Sequence, residues 1–305
     1  MYKILSFVLF LCIATNSLAV NIVFIVPAGV GSASDLLARK LAQELSYRIK
    51  ETIVVEDYPG GDQVIGLARA EKATQPTLFL GGTSLHVFNP VFAPDTVQNL
   101  DSNLDVFATM AHGYSVWYTY PNSGINNVQD MINGFRQNKK LNIGSDLLPS
   151  RMNAELLKYK YRTSNAEIIV YKTSAQNLID VAGGNITLGV NVPSTGMAGL
   201  IAEGKILPLA NTSDQSVIIS GITIPQMSQS IKRFKSGWFL STVKKAPISD
   251  DIIKTLQTII QDPEIKKYII ELGLIPEYYN RPDTQKYIEN YRSELRLLAG
   301  QLKSQ

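Results

Sequence analysis

A short apolar run that passes through a turn of small residues directly into a helix is the feature that most limits what this chain can fold into. Ile22–Val26 is uniformly apolar, and Pro27-Ala28-Gly29-Val30-Gly31-Ser32-Ala33-Ser34-Asp35 follows it. Leu37, Leu41 and Leu45 then recur at the spacing of one helical face. Ser32 with Asp35 three positions on is a helix-start pattern. A strand–turn–helix unit of this kind packs as a layered α/β structure. Its turn leaves backbone N–H groups unpaired at the positive end of the helix dipole, where a carboxylate or phosphate is favoured. Leu80-Gly81-Gly82-Thr83-Ser84 repeats the theme after a second apolar run and leads into His86 and Asn89-Pro90. The two stretches are expected to form the floors of one small-anion pocket.

The same alternation continues along the chain. Further β-rich runs at 52–55, 78–80, 106–110, 116–120, 141–143, 168–171, 186–190, 207–211 and 238–241 alternate with amphipathic helices expected near 128–138, 152–159, 175–181, 195–203, 250–260, 264–272 and 284–302. Residues 1–19 read as a secretory signal: Lys3, an apolar run from Ile4 to Ala14, and a small-residue cleavage site ending at Ala19. That run is too short to span a bilayer. The single cysteine, Cys12, lies inside it, so the exported chain has no disulfide and no thiol nucleophile. Removing the signal takes away one charge from a net +3, a balance that argues against nucleic acid or a membrane surface as partner. Two histidines and no cysteine are too few to suggest a metal site, and no cofactor is expected. No nucleophile-elbow or phosphate-loop motif occurs. An exported receptor for a small acid is therefore the expected class. A hydrolase using Ser84 and His86 remains as a remote alternative, without an evident orienting acid.

Taken in order, these residues resemble the Bug-type extracytoplasmic receptors of tripartite tricarboxylate transporters. The resemblance runs through Pro27 to Arg39, Pro59-Gly60-Gly61, Leu80 to Pro90, Tyr171-Lys172, Asp180, Gly183-Gly184, Gly204-Lys205, Gly237-Trp238-Phe239 and Asp262-Pro263-Glu264. It implies a type II periplasmic-binding-protein fold, in which two α/β domains joined by a two-strand hinge close on a carboxylate. The implied domains are 20–120 with 238–305, and 121–237. It also implies membrane permease subunits as partners and a chain that acts as a monomer. A receptor that presents its closed form to a sensor kinase is the alternative output.

Candidate ligand-binding positions are Ala28, Gly31, Ser32, Thr83, Ser84 and His86 from the first domain. Gly144, Ser145, Ser150, Arg151, Thr173 and Asn191 are the candidates from the second. Asp35 either orients the first loop or accepts from a ligand amine. Arg151 either pairs with a distal carboxylate in bidentate fashion or is a solvated arginine. Three departures from the family bear on the ligand. Ser32 stands where the family has glycine, which would cost roughly 1 kcal/mol if the position needed positive φ. The loop 144–150 is shortened and brings Asp146 to a place where small residues are usual; in the cleft it would favour a ligand with an amino group or a neutral polar tail. Thr173 replaces a glycine.

Overall fold

The computed structural model describes residues 22–227 and 234–303. The expected signal, its cleavage after Ala19 and Cys12 lie outside the described residues. β1 (Ile22–Val26) runs into α1 (Ala33–Ile49), and β2 (Ile53–Asp57) into α2 (Val64–Ala70). β3 (Thr77–Gly82) enters a wide helical turn, Ser84–Phe88, continued by α3 (Asn89–Phe92), α4 (Leu100–Asn103) and β4 (Leu104–Gly113). The second half contains β5 (Val116–Thr119), α5 (Val128–Arg136), β6 (Leu141–Ser145), α6 (Leu148–Tyr161) and β7 (Ala166–Val170). α7 (Ser174–Ala182), β8 (Leu188–Asn191), α8 (Thr195–Ala202) and β9 (Leu207–Asn211) complete it. A hairpin of β10 (Val217–Ile219) and β11 (Ile222–Ile224) follows. The order ends with β12 (Ser236–Val243), α9 (Asp250–Gln261), α10 (Pro263–Glu271), β13 (Ile275–Tyr279) and α11 (Arg281–Lys303).

The strands form two main sheets, β13-β4-β12-β3-β1-β2 and β7-β6-β8-β5-β9. In the first, β1 is parallel to β2 and β3, and β12 runs antiparallel to both β3 and β4. In the second, β6 is parallel to β7 and β8, and β5 runs antiparallel to both β8 and β9. Numbered within each half, the sheets repeat one order. Three parallel strands lie as second, first, third; an antiparallel strand supplied by a crossing follows, then the fourth strand, beyond which the first sheet alone adds β13. β1 is buried at every position, as expected of a central strand covered on both faces by helices. α1 meets the first sheet through Leu37, Leu41 and Leu45, all fully buried, each contributing about 1.5–3 kcal/mol by removal from water.

The chain crosses between sheets at Tyr114-Ser115 and again between Asn211 and Ser236. The first crossing thus precedes the boundary expected at 121. Trp117 and Tyr118 are fully buried in the second half, so their strand pairs there. The turn-rich residues after Tyr120 lie beyond that strand rather than at the crossing. The two crossing segments are tied to each other: Thr212 N donates to Ser115 O at 2.9 Å, and Ser115 N donates to Thr212 Oγ1 at 2.8 Å.

Candidate functional site

In an open α/β sheet a ligand sits beyond the carboxyl ends of the parallel strands, where successive loops face one crevice. Five such loops, following β1, β2, β6, β7 and β8, line one cavity of about 150 Å³ between the two sheets. Its walls come from Pro27–Gly29 and Ser32–Ser34, Gly60–Gln63, Asp146-Leu147, Val170–Ser174 and Val192–Ser194, with Trp238 beside them.

Each loop ends at a helix start. Ser32, Gln63, Leu147, Thr173 and Ser194 are the N-cap residues of α1, α2, α6, α7 and α8, and all five line the cavity. The first N–H groups of a helix have no intrahelical acceptor and carry its positive dipole end. Three caps are locally satisfied: Ser32 Oγ accepts from Asp35 N at 3.2 Å, Thr173 Oγ1 from Gln176 N at 3.4 Å, and Ser194 Oγ from Met197 N at 3.2 Å. The arrangement is a cradle for a small anion built largely from backbone. Trp238 Nε1 donates to Ser34 Oγ at 2.8 Å and fixes that hydroxyl at the wall.

Of the sequence candidates, Ala28, Ser32 and Thr173 line this cavity. Ser32 has φ −69° and caps its helix without strain; the positive φ falls on Gly31, at +77°. Gly31 lies in an adjoining groove with Thr173 and Ser194. Asp35 is buried, accepting from Gly31 N at 2.8 Å and pairing with Arg39 Nε at 2.6 Å. It therefore orients the loop rather than lining the cavity.

The second expected floor is elsewhere. Thr83, Ser84 and His86, just past the end of the interior strand β3, are buried and do not line the cavity. The reason is Gln63, whose Oε1 accepts from Gly82 N at 2.9 Å and Leu85 N at 3.4 Å. That side chain covers the end of β3, and the turn Gly60–Gln63 takes the place of the β3 loop. Thr83 Oγ1 accepts from Gly237 N at 3.3 Å. His86 packs edge-on to Phe239; burial, with Arg292 adding repulsion, lowers its imidazole to about 3. A buried neutral histidine with no hydrogen bond to Ser84 gives no support to a hydrolase.

Gly144, Ser145, Ser150, Arg151 and Asn191 also stand behind the cavity wall rather than on it. A β-carbon at Gly144 would collide with Asn177 Oδ1 at 1.9 Å. Ser145 donates to Leu147 O at 3.4 Å, and the Ser150 and Ser115 hydroxyls meet at 2.8 Å. Arg151, expected to meet a ligand carboxylate, pairs with Asp62 of the first half at 2.7 Å. Asn191 Oδ1 accepts from Tyr118 Oη at 2.5 Å and Asn177 Nδ2 at 2.6 Å. Its own amide donates to Asp146 Oδ1 at 2.5 Å. Burial raises the Asp146 carboxyl to about 6, with repulsion from Asp62 adding, against hydrogen bonds from Asn191 and from the N–H groups of residues 146 and 147.

Asp62, Gln63 and Ser194 line the cavity without being among the sequence candidates. Pro59-Gly60-Gly61 after an apolar strand carried the same signal as the first loop, and Ser194 directly precedes a helix that was expected at 195.

The chain is similar to known proteins over nearly its whole length. A match to the tripartite tricarboxylate transporter family receptor covers residues 37–299. A UPF0065 protein of Bordetella bronchiseptica is 24% identical over 285 residues, covering 90% of this chain and 83% of that protein. The R. palustris protein solved with adipate superimposes with a TM-score of 0.79 at 20% identity, covering 92% of this chain and 96% of its own. The periplasmic binding protein BugD gives 0.76 at 18% identity, covering 92% and 97%. The fold is thus that of type II periplasmic binding proteins, with two α/β domains.

Proposed function

Because the chain belongs to the tripartite tricarboxylate transporter family of receptors, of Bug type, we propose that it is a periplasmic receptor that captures a small carboxylate between its two sheets. The observation that carries this reading is the convergence of five helix N-cap residues on one small cavity. A carboxylate placed there accepts from backbone N–H groups of Ala33, Ser34 and Ser174, with hydroxyls of Ser32, Thr173 and Ser194 at hand. Closure of the halves excludes water and strengthens those bonds. The protein works as a monomer, exported by residues 1–19, and hands its ligand to the membrane subunits of a tripartite transporter. The adipate bound by a relative of the same fold agrees with a carboxylate as cargo.

Thermal melting of the protein from residue 20 onward, refolded to remove carried-over ligand, tests the proposal. The panel holds mono-, di- and tricarboxylates and amino acids. A ligand at a hundred times its Kd adds about 2.7 kcal/mol, a rise of several degrees for a protein of this size. A shift given by any acid of the panel, amino acids included, supports the receptor; a panel with no shift removes it.

A further inference from the structure

Resting on that reading, we propose that the ligand carries an ammonium group as well as its carboxylate, and that Asp146 is the residue that selects it. The cavity is lined by two carboxylates, Asp62 and Asp146, close enough for each to feel the other. They are answered unequally. Arg151 neutralises Asp62 at 2.7 Å. Asp146 receives uncharged donors alone, the amide of Asn191 and the N–H groups of residues 146 and 147, and no lysine or arginine among the described residues forms an ion pair with it. Lys172 belongs to the same wall, beside the start of α7, where it adds to the field that favours the ligand's anion.

The orientation of Asn191 is fixed from behind. Tyr118 and Asn177 both donate to its oxygen, so its Nδ2 faces Asp146, which is thereby held as an acceptor. The cavity thus offers helix N-termini and Lys172 to a negative group, and an unneutralised carboxylate to a positive one. A plain acid would bring a further negative charge beside Asp146 as water leaves, and burying an unpaired charge is costly. A ligand with both charges answers both sets of groups and enters the closed cavity with one unit less of net negative charge than the matching plain acid. Charge-assisted hydrogen bonds of that kind are about twice as strong as neutral ones.

Isothermal calorimetry on matched pairs tests this: glutamate against glutarate, aspartate against succinate, alanine against propionate, and γ-aminobutyrate against butyrate. The amine-bearing member of at least one pair is expected to bind at least 10-fold tighter than its partner. Asp146→Asn, which keeps the shape, removes that preference and leaves the plain acid unchanged or tighter. Asp146→Ser serves as a second variant, and unliganded melting shows that each is folded. Plain acids that bind as well as their amine-bearing partners overturn the inference and leave the carboxylate receptor standing. An equal loss for both members in Asp146→Asn overturns it too. If no acid of either kind binds, the inference and the carboxylate reading fall together.

Discussion

A β-carbon at Gly29 would lie 2.5 Å from Thr173 Cγ2, so two loops from different sheets meet there with no spare room. Gly29→Ala is therefore expected to hold the halves apart. Affinity for the carboxylate found by the melting panel should fall about 10-fold, near 1.4 kcal/mol, with little change in unliganded stability. Thr173→Ser in the same chain, which removes that methyl and keeps the capping hydroxyl, should restore it. Unrestored binding would mean that Gly29 acts through something else. His86 makes a second residue-scale prediction. Folded, it stays neutral down to about pH 3, whereas the unfolded chain takes up a proton near 6.5. The stability of keeping it neutral is complete above 6.5 and is lost as pH falls from there through 3, at up to about 1.4 kcal/mol per pH unit. In urea titrations at pH 7, 6, 5 and 4, the difference between wild type and His86→Gln should shrink in that order. Roles set by near neighbours are partly legible in the sequence: Ser32 caps α1, as its spacing from Asp35 implies, while of the two roles open to Asp35 the geometry favours the one that orients the loop. Roles set at a distance were not. Nothing local reveals that Gln63 reaches Gly82 or that Arg151 meets Asp62, 89 positions away.

The helix α6 brings that Arg151, behind the cavity wall, against a turn of the other half. The pair is part-exposed, at 17% and 19%, which limits its strength through solvent screening. Arg151→Ala should weaken mono- and dicarboxylates alike, by about 1 kcal/mol, because it loosens the contact between halves rather than a ligand contact. A loss confined to dicarboxylates would return Arg151 to the ligand. At this scale the strongly periodic elements were readable, α1 and the central strands above all. The missed ones have identifiable causes. α2 contains Gly66, a poor helix former, retained where a β-carbon would strike Pro27 at 2.5 Å. β13 contains Pro276 and sits at the edge of its sheet with an irregular register, the one kind of strand that tolerates proline. The wide turn Ser84–Phe88 follows a strand whose glycines pointed to a loop, yet its side chains are all buried.

For the molecule as a whole, the reciprocal bonds between Ser115 and Thr212 bind the two crossing segments together. Thr212→Val keeps the shape and leaves the buried Ser115 N–H without its acceptor. It should cost about 1–3 kcal/mol in denaturant titration, and a variant as stable as wild type would show that the tie is dispensable. The two-domain plan was readable only through the ordered resemblance, since periodicity does not say which strands share a sheet. One further consequence lies in β12. It sits between β3 and β4, yet it follows them in the chain by more than a hundred residues. Until it arrives, the first sheet is two unconnected fragments with open edges, whereas the second is formed from one continuous stretch, 116–211. Long-range strand pairing is slow, so a chain that emerges from its amino end must assemble its middle first. The half that holds the first and last described strands then folds around a completed partner, and its unpaired edges are exposed for the whole of that interval.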